Sequence, residues 1–144
     1  MYATTYAKAK DVADAVSQLK GADEGKLLAG GQTLIPTLKQ RLASSDCLID
    51  LSDAGLSGIS DEGGSIRIGA MTRHVEVETS KLVKKAIPAL AALASGIGDR
   101  QVRNCGTIGG SVANNDPSAC YPSALLALGA TVHTDRRNIE AGDY

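Results

Sequence analysis

The stretch from Gly106 to Pro122 places three glycines, two asparagines and an aspartate–proline step within seventeen residues, GTIGGSVANNDPSACYP. Without a Cβ at Gly109 and Gly110, main-chain N–H groups can turn toward one point, and a phosphate or pyrophosphate can approach closely. An apolar pattern resumes after the glycines, and a helix is expected from Tyr121 to Gly129. We therefore expect an exposed backbone inside a folded unit. An ordinary tight turn is the alternative interpretation.

A second glycine stretch, KLLAGGQTLIP, runs from Lys26 to Pro36. Its apolar start predicts a buried strand, and the residues after Gly30 and Gly31 predict a helix over 32–42 that buries Leu42. A strand, a glycine turn and a helix N-terminus together favour an anion site, because unpaired N–H groups point at the ligand. The spacing is neither GxGxxG nor a lysine-bearing P-loop. Backbone groups are therefore the expected ligands.

The first part of the chain, residues 1–54, predicts a small α/β lobe. Three strands and two helices alternate, in the order strand 2–9, helix 12–19 with Asp11 as N-cap, strand from Lys26, helix 32–42 and strand 47–51. This β-α-β-α-β order indicates a parallel three-stranded sheet. The first glycine stretch then follows the carboxyl end of a strand, where open α/β sheets bind ligands.

The remainder, residues 55–144, predicts an incomplete second lobe of α+β type. A hairpin turns at 61–64, Thr72 caps a short helix, Pro88 kinks or restarts a helix over 82–94, and a strand near ATVHTD precedes a turn at 136–138. The fold class is therefore α+β, built from α/β lobes. We expect the chain to be a fragment, because no clear last element precedes Tyr144.

Composition excludes several classes of function. The net charge is −1 and the basic residues are mixed with acids, so nothing resembles a nucleic-acid-binding surface. No run approaches the ~20 apolar residues of a membrane span, and the N-terminus lacks the apolar core of a signal peptide. We expect a cytoplasmic protein that starts near Met1. The three cysteines indicate reduced thiols rather than disulfides or a metal site.

Three segments carry a family resemblance: LLAGGQTLIP, IGAMTRHVEVETS and RNCGTIGGSVANNDPSACYPSALLALGATV. They resemble the FAD-binding medium subunit of molybdenum hydroxylases, which includes the carbon monoxide dehydrogenase medium subunit and the flavin domain of xanthine dehydrogenase. The resemblance implies an N-terminal portion of a two-lobed, PCMH-type FAD-binding domain. It also implies an FAD-dependent oxidoreductase subunit, with an iron–sulfur small subunit and a molybdopterin large subunit as partners.

The resemblance further implies which residues bind FAD, with the backbone of both glycine stretches holding the pyrophosphate. The first stretch contributes Leu28, Ala29, Gly30, Gly31, Gln32, Thr33 and Leu34, and the second contributes Thr107, Ile108, Gly109, Gly110 and Ser111. Ile97 matches a position of the flavin pocket in the xanthine dehydrogenase branch. No catalytic side chain and no metal ligand are implied for this chain.

Two positions depart from the xanthine dehydrogenase branch of that family. Cys120 stands where that branch has aspartate, and Ser111 stands where it has asparagine. Cysteine is a weak hydrogen-bond acceptor, so we expect Asp116, Asn115 or water to make the ribityl or ribose contact instead. Asp116 and Cys120 therefore stay among the candidate cofactor-binding residues, although an aspartate before proline more often only starts a turn.

Other polar side chains near these stretches have ordinary interpretations beside the functional ones. His74 lacks a neighbouring acid or a second histidine, so packing is the favoured role over a flavin contact. Arg100 and Arg103 either neutralise phosphate or bind a partner, or are simply solvated.

Three functions remain open. The first is an FAD-binding electron-transfer subunit that passes electrons from iron–sulfur clusters to FAD and on to an acceptor. The others are a non-catalytic docking fragment and a stand-alone flavin reductase of the UDP-N-acetylenolpyruvylglucosamine reductase kind.

Overall fold

The computed structural model describes all residues from 1 to 144. The elements are β1 (Thr5–Lys8), α1 (Val12–Gly21), β2 (Lys26–Leu28), α2 (Leu34–Lys39), β3 (Cys47–Asp50), β4 (Ile59–Asp61), β5 (Ile66–Ile68), α3 (His74–Thr79), α4 (Lys81–Ala86), α5 (Pro88–Ser95), α6 (Arg100–Cys105), α7 (Ile108–Asn114), α8 (Cys120–Ala127), β6 (Thr131–His133), β7 (Asn138–Glu140) and a final 3-10 turn (Ala141–Asp143).

The first fifty residues form the predicted β-α-β-α-β unit. Strand β3 lies between β1 and β2, and both neighbours pair with it in parallel. Helix α1 begins as predicted, because the Asp11 carboxylate accepts a hydrogen bond of 2.8 Å from the Asp14 amide. A small core of Ala9, Ala15 and Ile49 lies between this helix and the sheet.

The rest of the chain packs helices around a larger apolar core, with two antiparallel hairpins, β4–β5 and β6–β7. The buried members of that core come from five helices: Val77, Val83, Leu90, Ala91, Ala94, Ile108, Val112 and Tyr121. The mixture of helices and sheets is the predicted α+β class. The division of the chain at residue 54 stays a prediction.

Several predicted elements have different bounds or ends in the structure. Helix α2 covers only Leu34–Lys39, because Arg41 adopts a left-handed φ of 59° that ends the helix. Leu42, predicted to be buried, is therefore 74% exposed. Thr72 does not cap α3. Its fully buried hydroxyl instead bonds the backbone N–H and C=O of Gly58, each at 3.0 Å.

The structure also decides between the two predictions for Pro88, and it contains two elements that were not predicted. Pro88 restarts the chain as a separate helix, α5, after α4 ends at Ala86. Helix α6 was not predicted, and neither was strand β7, whose residues fall partly in the expected turn. The expected open run after Gly106 instead contains helix α7, which we describe with the site.

Candidate functional site

The first glycine stretch lies between the carboxyl end of β2 and the start of α2. Gly31 has a φ of +71°, a left-handed conformation that favours glycine and turns the chain into the helix. The side-chain amide of Gln32 donates to the Gly30 carbonyl at 2.9 Å and braces this turn. The backbone N–H groups of residues 30–33 donate to no acceptor within the protein. Four adjacent donors are therefore available to a ligand.

The two glycine stretches lie against each other. A Cβ on Gly30 would overlap the carbonyl oxygen of Cys105 and lie 2.7 Å from the Cα of Gly106. A Cβ on Gly110 would lie 3.4 Å from the Cβ of Ala29. The structure therefore brings residues 29–30 and 105–110 together at one place, although they are far apart in the chain.

The second stretch is helical and does not expose its backbone as the sequence suggested. The amides of Ile108, Gly109 and Gly110 donate to the carbonyls of Thr72 (3.0 Å) and Ala70 (2.8 Å) and to the Thr107 hydroxyl (3.2 Å), respectively. The expectation of free amides is therefore wrong at these three positions. Their partners are supplied by the turn before α3 and by the N-cap of α7 itself.

The lack of a side chain at Gly109 has a packing explanation. A Cβ there would lie 2.5 Å from the Cβ of Ala70 and 2.6 Å from its carbonyl oxygen. Such distances essentially never occur between real atoms of this kind. Gly109 therefore allows α7 to pack against the segment around Ala70. It does not open space for a ligand.

The other predicted site residues lie in varied surroundings. Leu28, Leu34, Ile97 and Ser111 are half-buried, whereas Thr33, Asp116 and Cys120 are exposed. One oxygen of Asp116 accepts the hydroxyl (2.6 Å) and the amide (2.8 Å) of Ser118, and these bonds lower the pKa of its carboxyl. This geometry is the aspartate turn described as the ordinary interpretation. Cys120 is the first residue of α8.

A cavity of about 410 Å³ extends from the first glycine stretch along α2. Its lining consists of Gly30, Gly31, Gln32, Ile35, Pro36, Lys39 and Gln40. Residues 31, 35 and 39 repeat every four positions, as do 32, 36 and 40, so one face of α2 forms the wall. Sequence reasoning missed Lys39 and Gln40. The helical spacing from the glycines would have pointed to them.

Arg103 ties three segments together beside the site. Its guanidinium lies 3.0 Å from a carboxylate oxygen of Glu78 on α3. It also donates to the carbonyls of Ile97 and Gly98, each at 3.2 Å. The side chain is only 15% exposed. Arg103 is therefore neither simply solvated nor available as an unpaired positive charge.

His74 is packed, as the sequence favoured, and it lies under the second stretch. Its Nε2 is 2.6 Å from the position that a Cβ on Gly106 would take. Its ring centroid is 5.4 Å from that of Tyr121. Burial lowers the pKa of the His74 imidazole, and burial followed by the neighbouring Cys120 raises the pKa of the Tyr121 phenol. His74 Nδ1 and the Tyr121 hydroxyl both lack hydrogen-bond partners.

Comparison with known proteins decides the family. The family described as "FAD binding domain in molybdopterin dehydrogenase" matches residues 2–144. This chain belongs to that family.

Named relatives agree with this assignment. The carbon monoxide dehydrogenase medium chain of Afipia carboxidovorans is 40% identical over 96% of this chain and 50% of its own length. The glyceraldehyde dehydrogenase medium chain of Sulfolobus acidocaldarius is 37% identical over 97% of this chain and 52% of its own. The crystal structure of quinoline 2-oxidoreductase from Pseudomonas putida 86 superposes with a TM-score of 0.95 at 32% identity, covering 99% of this chain and 52% of that one.

The predicted family, the α+β fold and FAD as the cofactor of this domain are thereby confirmed. The chain spans about half the length of the curated relatives it matches. No helix in the structure combines the length and apolar character that crossing a bilayer requires. No group of three or more histidine, cysteine, aspartate or glutamate side chains is placed to hold a metal ion.

The residues of the first stretch fit the diphosphate of FAD. A diphosphate offers only acceptors, and the N–H groups of residues 30–33 are donors without partners. They lie at the carboxyl end of a parallel strand and beside the start of a helix, and residues 30–32 line the cavity. The geometry therefore suits a dinucleotide at the first stretch. At the second stretch, the amides of residues 108–110 are already occupied.

Proposed function

We propose that this chain binds FAD and carries it within a molybdenum-dependent oxidoreductase. The observation that carries the proposal is the run of free amides at residues 30–33, of which residues 30–32 line the cavity along α2. Membership of the FAD-binding family supports the same ligand. The two named curated relatives are medium chains of dehydrogenases, which supports the oxidoreductase class.

The proposed partners are an iron–sulfur small subunit and a molybdopterin large subunit, in the cytoplasm. Bound FAD would accept electrons from the iron–sulfur clusters and pass them to an acceptor. The chain's own residues then bind, orient and shield the cofactor. No side chain of this chain is proposed to act as an acid, base or nucleophile.

Each predicted site residue has a proposed role in this scheme. The backbone of Leu28–Leu34 holds the diphosphate. Thr107–Ser111 forms the neighbouring wall, mainly by close packing and through hydroxyl groups. Ile97 contributes an apolar contact to the flavin. Asp116 and Cys120 are proposed to contact hydroxyl groups of the ribityl or ribose part, and Asp116 retains one carboxylate oxygen that Ser118 does not occupy.

The proposal is tested by titrating the purified protein with FAD and following flavin fluorescence. Alanine at Gly31 strains the turn, because φ there is +71°, and we expect Gly31→Ala to weaken FAD binding about tenfold, or about 1.4 kcal/mol. Gly63→Ala is the matched control. Gly63 has a φ of +74° in the β4–β5 hairpin, so alanine there would introduce similar backbone strain outside the site.

The two variants separate a local effect from a general loss of stability. Equal FAD affinity in both variants would place the cofactor elsewhere. A folded wild-type protein that binds no FAD would reject the proposal and favour the docking-only alternative. Turnover of a nucleotide-sugar substrate by the chain alone would favour the reductase alternative.

A further inference from the structure

We propose that Lys39 supplies the positive charge that compensates the diphosphate of FAD, and that it thereby makes the site prefer a dinucleotide over an uncharged flavin. This inference rests on the proposed function, because it names a recognition element of the same cavity. It assigns a role to a side chain at the far end of α2, five residues beyond the last predicted contact at Leu34.

The charge balance of the site motivates the proposal. The diphosphate of FAD is an anion, whereas the amides of residues 30–33 offer partial charges only. The second stretch adds little, because the amides of residues 108–110 already donate within the fold. A cationic side chain in this cavity would therefore add close charge compensation for a bound diphosphate.

Lys39 is the single charged side chain among the seven residues that line the cavity. It follows Gly31 and Ile35 at intervals of four, so it lies on the same face of α2. Long side chains on a helix point back toward its N-terminus, which here is the end that carries the free amides. This tendency would direct the ammonium group along the cavity toward the first glycine stretch.

Lys39 also has no competing carboxylate. It forms no ion pair, whereas Lys8 pairs with Asp53 at 2.8 Å and Arg103 pairs with Glu78 at 3.0 Å. The guanidinium of Arg41, two residues further on, lies over the ring of Tyr2 at 5.3 Å. The Lys39 ammonium therefore remains available to an anionic ligand.

The experiment compares Lys39→Gln, Lys39→Arg and wild-type protein for binding of FAD, ADP and riboflavin by titration calorimetry. Lys20→Gln is the control, because Lys20 is likewise an exposed lysine in the last turn of a helix, α1, but lies outside the cavity. We expect Lys39→Gln to weaken binding of FAD and ADP about tenfold and to leave riboflavin unchanged. Lys39→Arg keeps the charge, so we expect its affinities to stay within about threefold of wild type.

The salt dependence adds a readout that a merely structural role would not change. Raising the ionic strength should weaken FAD binding in the wild type and in Lys20→Gln more than in Lys39→Gln, because screening acts on the charge that the variant lacks. Equal losses for FAD and riboflavin in Lys39→Gln, or equal affinities in Lys39→Gln and wild type, would overturn the assignment to Lys39.

Failure of the proposed function gives a different result. In that case the wild-type protein does not bind FAD, and the ADP titrations still test whether Lys39 recognises a diphosphate. ADP binding that Lys39→Gln weakens would support the inference for the diphosphate alone. A wild type that binds neither FAD nor ADP would overturn both proposals.

Discussion

At Gly109 the missing side chain makes room for Ala70, and at Gly30 it makes room for the backbone of Cys105 and Gly106. Only Gly31, with its left-handed φ, is required by the turn itself. The same residue type therefore meets two different physical demands within one site, close packing and backbone conformation. The sequence shows that a glycine is present, but it does not show whether close packing or backbone conformation requires it.

Burial of His74 makes a prediction about pH. Its folded-state pKa lies below its ordinary value of 6.5, because burial disfavours the charged imidazolium. The unfolded state therefore takes up a proton first as the pH falls. The contribution of neutral His74 to the free energy of unfolding should be fully present above about pH 6.5. It should decrease as the pH drops from there toward the lower folded-state pKa.

Urea unfolding at pH 8 and pH 5.5 measures this effect. We expect His74→Gln to lose less unfolding free energy between the two pH values than the wild type does, because glutamine does not titrate. His133→Gln removes an exposed histidine on β6 and should retain the wild-type pH dependence. The same loss in all three proteins would mean that His74 is not the group responsible.

At the scale of elements, Arg103 joins α6 to α3 and to the turn that carries Ile97. The pair is largely buried, with 15% exposure at Arg103 and 28% at Glu78. The guanidinium also satisfies two carbonyl groups, so removing it leaves several partners unsatisfied. This makes the contact a determinant of where the Ile97 segment lies.

A double-mutant cycle on Arg103→Gln and Glu78→Gln tests this contact through unfolding free energies. We expect Arg103→Gln to destabilise the protein by about 1–3 kcal/mol and the pair to be coupled by about 1–2 kcal/mol. The Lys8–Asp53 pair is the control, since its side chains are 45% and 62% exposed, and we expect much weaker coupling there because solvent screens the charges. Strictly additive effects of the Arg103 and Glu78 changes would contradict the proposed tie.

Helix α6 shows why some elements were missed. Its sequence RQVRNC has no apolar periodicity, so nothing in that pattern indicated a helix. It begins because the Asp99 carboxylate accepts from the Val102 amide at 2.8 Å. The contacts of Arg103 then stabilise it. Asp99 three residues before Val102 was the one local signal available.

At the scale of the whole molecule, the first three-stranded unit is a small one. Its buried core contains three residues, compared with eight in the core formed by the later helices. Such a unit has little apolar area to stabilise it alone. Its contact with the rest of the chain, where Gly30 meets Cys105 and Gly106, therefore matters for stability as well as for the site.

Gly30→Ala tests this contact. The added Cβ would overlap the carbonyl of Cys105, so we expect a loss of about 1–3 kcal/mol of unfolding free energy in protein without FAD. Gly21→Ala is the control, because a Cβ at Gly21, the last residue of α1, meets no atom within 4 Å. We expect Gly21→Ala to be neutral or slightly stabilising. If both variants have the same stability, the two stretches do not pack closely.

The sequence by itself determined the strand–helix alternation of the first fifty residues, the turn at Gly31 and the family of the domain. Each follows from local periodicity, backbone sterics or motif order. Only the tertiary structure decided which amides are free to bind a ligand. The carbonyls of Ala70 and Thr72 accept hydrogen bonds from the amides of Gly109 and Ile108, although they lie far away in the chain. A local sequence pattern does not indicate such long-range hydrogen-bond partners.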